Sequence, residues 1–208
     1  MKKREHSLNR NEHSTWMPMT DMLASTLIIT FLLLAVTALI RAMNAKAPIV
    51  TLQDTSAYRF KTGSFVLSNE FKRALSINVI PEMLRTVRCY GIDTVDIIGH
   101  TDGRPSATGG NIDFKLLDAF ETDDFNKIIP GSNIDLGFLR ALSVKKEIQS
   151  SFINSELHNV NLRVLSAGST LDPSGKFVPA QIVDDSSRRR IEIRFFRLSE
   201  DMFFPRCS

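Results

Sequence analysis

The chain has 208 residues, 43% of them hydrophobic and 24% charged, with a formal net charge of +3 and two cysteines. That length accommodates one ordinary domain and an appendage, and the composition is too apolar for a disordered chain. Acids are interspersed with bases, and beyond the N-terminal tail only Arg188, Arg189 and Arg190 form a dense basic run, so the charge pattern argues against a nucleic-acid-binding role.

Residues 1–16 form a polar tail carrying Lys2, Lys3, Arg4 and Arg10. From Met22 to Ile40 no residue is charged. At a helical rise of ~1.5 Å per residue this run covers roughly 28 Å, close to a bilayer's hydrocarbon core. A transmembrane helix over residues 17–40 is expected. A signal peptide's apolar core is shorter, about 7–15 residues, so an uncleaved anchor is favoured even though Ala45, Lys46 and Ala47 imitate a cleavage site. A buried core helix fits poorly, because Leu27, Ile28, Ile29, Phe31, Leu32, Leu33 and Leu34 leave no polar face. The basic tail, against Arg41 and Lys46 beyond the run, keeps the N-terminus in the cytoplasm and exports the chain beyond residue 41. Cys89 and Cys207 then occupy an oxidising compartment, where they either join in a disulfide or stand as separate thiols.

Asp21 sits at the mouth of the apolar run. A carboxylate at the bilayer centre costs about 2.5–3.5 kcal/mol and less near an interface, so a harmless boundary position is one reading. The other takes Trp16 as an interfacial anchor, which places Asp21 about 7 Å deeper. Ser25 lies at i+4 on the same face, and a helix carrying a buried acid needs a partner to shelter it.

Residues 41–57, with Pro48, read as a linker. "YRFKTGSFVLS" predicts a short strand and a turn at Gly63, and Asn69 a cap for the helix "EFKRALSINVIPEMLRTVRCYG". Pro81 should kink or divide that helix and Gly91 end it. "DTVDIIGH" predicts a buried strand delivering His100, Thr101 and Asp102 at its end. Residues 103–132 form an irregular insert around a short helix, "FKLLDAFETDDF". A firmer helix runs from Leu136 to about Phe152, with Ala141, Val144, Ile148 and Phe152 as its apolar stripe. "NLRVLSAG" and "RRIEIRFF" predict two further strands, the second alternating cleanly. The order β-α-β-insert-α-β-β implies an α+β sandwich over residues 58–200, with helices on one face of a sheet and a tail at 201–208.

Enzyme chemistry finds little support. His100 lies near Asp102, but no G-x-S-x-G nucleophile motif accompanies them. His6, His13 and His158 lack metal-ligand spacing, so no metal is expected and His100 reads as structural. Asp113, Asp118, Glu121, Asp123 and Asp124 read as a solvated face of the insert, because EF-hand spacing is absent.

Three blocks, "IIGHTDGRP", "NIDLGFLRALSV" and "SRRRIEIRF", resemble in order and placement the OmpA-type peptidoglycan-binding domain, over roughly residues 58–197. The resemblance implies that Asp102, Asn133, Arg140 and Arg189 on the last strand hold a cell-wall peptide. Diaminopimelate in such a peptide presents an ammonium and carboxylates, for which an anion and a planar cationic fork are complementary. The alternative is that Asp102 and Arg140 only bridge to each other, and the 103–132 insert is longer than the family's usual connection.

The short tail, the single helix with Asp21 and an OmpA-type domain together resemble the B subunits of MotA/MotB-type stators. The short linker and enlarged insert are most similar to ZorB subunits of Zorya anti-phage systems, with flagellar MotB as the runner-up. That resemblance implies two B chains in a self-dimer threading a ring of MotA/ZorA-like multi-pass subunits in a bacterial inner membrane. It makes Asp21 the carrier of H+ or Na+, with no cofactor and with the C-terminal domain periplasmic on peptidoglycan. A passive membrane-to-wall anchor, without ion flow, is the reading from a different class.

Overall fold

The apolar run folds within one helix, α1 (Glu5–Met43), in a computed structural model that describes residues 5–43, 47–104, 109–153, 159–179 and 183–199. Cys207, His158 and the 201–208 tail lie outside the described residues. The chain divides into two compact units, Met1–Ala45 and Lys46–Ser208. Helix α1 begins well before the apolar run, so the described part of the expected tail is helical. Pro18 removes one backbone donor from it. Residues Pro18–Ile40 are long and apolar enough to cross a membrane, and none of that segment is buried within the protein. Its threonines hide their hydroxyls on their own helix: Thr26, Thr30 and Thr37 each donate at 2.9 Å to the carbonyl three residues earlier. Such internal bonds suit a medium without water.

The second unit is built on a four-stranded sheet in the order β1-β4-β2-β3, with strands β1 (Val50–Gln53), β2 (Thr94–His100), β3 (Asn161–Gly168) and β4 (Arg190–Phe196). Strands β2 and β3 run parallel, whereas β4 is antiparallel to both β1 and β2. The architecture is α+β, with helices packed on one face of a mixed sheet. Val95 and Ile97 on β2 and Ile191, Ile193 and Phe195 on β4 enter the main core, joined by Ala141, Val144 and Ile148 of helix α5 (Asn133–Ile153). Burying each of the larger side chains contributes about 1.5–3 kcal/mol. Alternation sends Asp96, Glu192 and Arg194 to the opposite face, where charged groups cover the sheet. There Arg163 grips Asp96 with two bonds of 2.6 and 2.9 Å, and Glu192 accepts from Arg190 and Arg194.

Two local expectations need correction. The first strand lies at Val50–Gln53, inside the stretch read as linker, and residues 54–68 are bends and irregular chain around a turn at Thr62–Gly63 instead. The reason is tertiary: Leu52 turns inward and β1 completes the β4 edge. Tyr58 and Phe60 still dock, with ring centroids 5.5 and 4.9 Å from that of Phe71. The turn at Gly63 is present, with φ of 68°. Second, Ser68 caps helix α2 (Asn69–Ala74), its hydroxyl accepting from the Phe71 amide at 3.1 Å, while Asn69 is already helical. The helix is divided near Pro81, as expected. A π turn at Leu75–Val79 inserts between α2 and α3 (Ile80–Tyr90), so that Pro81 falls in the first turn of α3, where its missing donor costs nothing. Gly91 closes α3 in the left-handed conformation, at φ 60° and ψ 43°.

The insert carries helix α4 (Ile112–Thr122) and packs onto the domain. Ala119 and Ile128 join Leu139 and Leu142 of α5 in a second small core, with Phe65, Leu116 and Phe125 around it. The acids of the insert face solvent in part through surface pairs, such as Lys115 with Asp118 and Lys127 with Asp124.

Candidate functional site

Two glycines position the site. A Cβ placed on Gly99 of β2 would lie 1.9 Å from the Gly137 carbonyl oxygen, and one on Gly137 would lie 2.5 Å from Ser166 Oγ. Helix α5 therefore rests directly on the sheet at the C-terminal end of β2. The chain leaves β2 through Thr101 and Asp102, while Asn133 opens α5 and Arg140 comes two turns later. Strand β1 brings Asp54 to the same place, because the Asp54 amide donates to the Arg189 carbonyl at 3.1 Å and so extends the β1–β4 ladder.

These elements enclose a cleft of about 480 Å³ lined by Asp54, Asp102, Arg104, Asn133, Arg140 and Arg189, among others. All four residues expected to hold a ligand are thus brought together, although Arg189 immediately precedes β4 instead of lying within it. Arg189 is the hub. Its Nε donates to Asp54 Oδ2 at 2.6 Å and its Nη1 to Asp102 Oδ2 at 2.7 Å, and Nη1 also pairs with Asp184. Arg104 donates to Asp102 Oδ2 at 2.8 Å, and Arg59 to Asp54 Oδ1 at 3.1 Å. Burial opposes the charge on Arg189, but its bonds to Asp184, Asp54 and Asp102 outweigh it and raise its pKa above the ordinary arginine range.

Arg140 is held differently. It is buried, its Nε donates to the Ser64 carbonyl at 3.0 Å and its Nη2 to the Lys61 carbonyl at 3.4 Å, and its guanidinium lies over the Phe60 ring at 4.9 Å. No ion pair joins it to Asp102 among the described residues; Asp102 is taken by Arg104 and Arg189. Burial pushes Arg140 down to about 10, against the pull of Asp102, so it stays charged at neutral pH. Carbonyls and a ring thus hold one side of a cation that no carboxylate neutralises directly. Asn133 secures the rim by donating to the Arg104 carbonyl at 2.8 Å. The buried Thr101 hydroxyl, on the cleft lining, has no hydrogen-bond partner among the described residues.

His100 lies behind the cleft, fully buried, with Nε2 3.3 Å from Glu192 Oε1 but without hydrogen-bond alignment. The ring beside it, together with Arg194 and Arg190, holds Glu192 well below the usual carboxylate range. Asp21 belongs to the other unit, on the exposed surface of α1, and forms no ion pair among the described residues. Cys89 lies half-buried in the last turn of α3. Asp54, Arg59, Arg104 and Asp184 escaped sequence reasoning. Arg104, two residues beyond Asp102, was the one with a local signal.

No protein-family model matches the chain, and no curated protein matches it. Among solved structures, the chain is similar to the cell wall anchor of the T6SS from Pseudomonas aeruginosa, at 19% identity and a TM-score of 0.39, over 71% of this chain and 80% of that one. It is also similar to the OmpA-like domain of FopA1 from Francisella tularensis, at 12% identity and a TM-score of 0.35, over 71% of this chain and 73% of that one.

Proposed function

We propose that the C-terminal unit binds peptidoglycan stem peptides through the Asp102–Arg140 cleft, and that the chain is the B subunit of an ion-driven, stator-like membrane motor. The observation that carries the wall reading is Arg140. A buried guanidinium held only by carbonyls and a ring offers a ligand carboxylate a strong charge-assisted bond, because the cation is desolvated and lacks a direct counter-ion. Asp102 supplies the complementary anion for an ammonium, and Asn133 and Arg189 fix the flanks. A zwitterionic centre such as the free end of diaminopimelate satisfies both. The test is calorimetric titration of the full chain with a diaminopimelate-ending tripeptide. Binding should fall at least about tenfold in Asp102→Asn and Arg140→Lys, the loss of one charge-assisted bond; unchanged affinity in both folded variants sinks the reading.

The motor reading rests on Asp21. The unburied apolar segment Pro18–Ile40 needs lipid or another chain around it, and a lone acid in such a segment is functional by default. A ring of MotA/ZorA-like subunits would shelter Asp21 while H+ or Na+ neutralises it, in a self-dimer of B chains with the wall-binding unit periplasmic. Strand β1 starts at Val50, close after α1 ends at Met43, which favours the short-linker ZorB type and a defence role over flagellar MotB. The pairing of Cys89 with Cys207 is proposed with this exported location.

A further inference from the structure

One carboxylate of the cleft is exposed where the other two are buried. Arg189 contacts three acids, and two of them are deeply buried, with side-chain exposures of 7% for Asp54 and 8% for Asp102. The third, Asp184, is 62% exposed. Asp54 and Asp102 are shared with Arg59 and Arg104, and as buried partners they are costly to remove. Asp184 instead sits at the cleft mouth, on Arg189 Nη1 and 3.5 Å from Arg104 Nη2. The backbone next to it is pinned independently, since Asp185 Oδ1 accepts from the Ser187 amide at 2.9 Å and from its hydroxyl at 2.6 Å. A rotamer change alone can therefore release the Asp184 side chain while the turn stays in place.

Deepening the wall-binding reading, on which it rests, we propose that Asp184 is a built-in competitor for the cleft: its carboxylate holds Arg189 and Arg104 until a ligand carboxylate exchanges for it. Arg189 keeps the Asp184 carboxyl below its ordinary range, so the competitor stays charged at neutral pH. The charged lining comprises Arg59, Arg104, Arg140 and Arg189 against Asp54, Asp102 and Asp184. Release of Asp184 leaves the arginines two in excess, a field that suits a ligand with more than one carboxylate. Selectivity arises from the same exchange. A ligand carboxylate restores what Arg189 and Arg104 give up, whereas a carboxamide at that position leaves both short of an anion. The class favoured is a stem peptide with a free acid, over its amidated form.

The test uses the full chain in detergent micelles with two probes, a diaminopimelate-ending tripeptide and its carboxamide. In Asp184→Asn and Asp184→Ala the acid probe should bind about two- to fivefold tighter, the range of an exposed ion pair, and the gain should shrink in roughly 1 M salt. Wild type should prefer the acid probe. Hydrogen exchange in residues 183–189 should rise when the acid probe saturates wild type, and should already be raised in Asp184→Asn without probe. Unchanged or weaker binding in both Asp184 variants, while Arg140→Lys loses binding, overturns the competitor and leaves the wall site standing. Binding that survives intact in Arg140→Lys and Asp102→Asn removes the wall reading and the competitor with it.

Discussion

Arg140 has two kinds of neighbour, and each predicts a different cost. Its bonds to the Lys61 and Ser64 carbonyls and its seat on Phe60 tie the 60–64 turn to α5. Arg140→Met leaves those carbonyls short of a donor and should lower stability by about 1–3 kcal/mol in urea unfolding. Arg140→Lys keeps the charge and loses the fork, so it should cost affinity more than stability. Glu192 sets a pH dependence. Its folded pKa lies below its ordinary value of 4.5, through the His100 ring, Arg194 and Arg190. Its contribution is therefore complete above that ordinary value and is lost as pH falls through the depressed one. Thermal melts should weaken as pH falls below about 4.5, and Glu192→Gln should flatten that slope while being less stable at about pH 6. Asp102, Asn133, Arg140 and Arg189 were legible because they sit in recognisable blocks. Asp54 was not, because its role arises from pairing with Arg189 across the β1–β4 ladder, which no local spacing reveals.

Among the elements, β2, α5, β3 and β4 announced themselves through β-branched runs, the Ala141–Val144–Ile148 stripe and strict alternation. Strand β1 did not, since four residues with two inward side chains, Val50 and Leu52, carry too little periodicity to distinguish a strand from a linker. The π turn was equally hidden: Pro81 signals an interruption, but the extra residue that resolves it is a choice of backbone register. The crossing of α5 over β2 depends on Gly99 and Gly137, and the consequence is testable. Gly99→Ala drives a methyl into the Gly137 carbonyl, where backbone must move. The variant should lose about 3 kcal/mol or more, or shift α5 and with it Asn133 and Arg140. An unfolding midpoint within error of wild type would show that the contact is loose.

For the whole molecule, the two units pose separate questions. Helix α1 presents an apolar surface that the chain itself does not cover, interrupted at one end by Asp21. In proteoliposomes containing the proposed ring partner, Asp21→Asn should assemble normally and lose ion conductance, whereas normal conductance would reduce α1 to an anchor. The C-terminal unit carries the more direct claim, because its cleft assembles Asp102, Asn133, Arg140 and Arg189 from separate stretches of chain. The decisive measurement is co-sedimentation of the full-length protein with purified peptidoglycan, alongside Asp102→Asn and Arg140→Lys confirmed as folded by circular dichroism. Wild type should sediment with the wall and both variants should stay in solution; variants that sediment as wild type does would contradict the account.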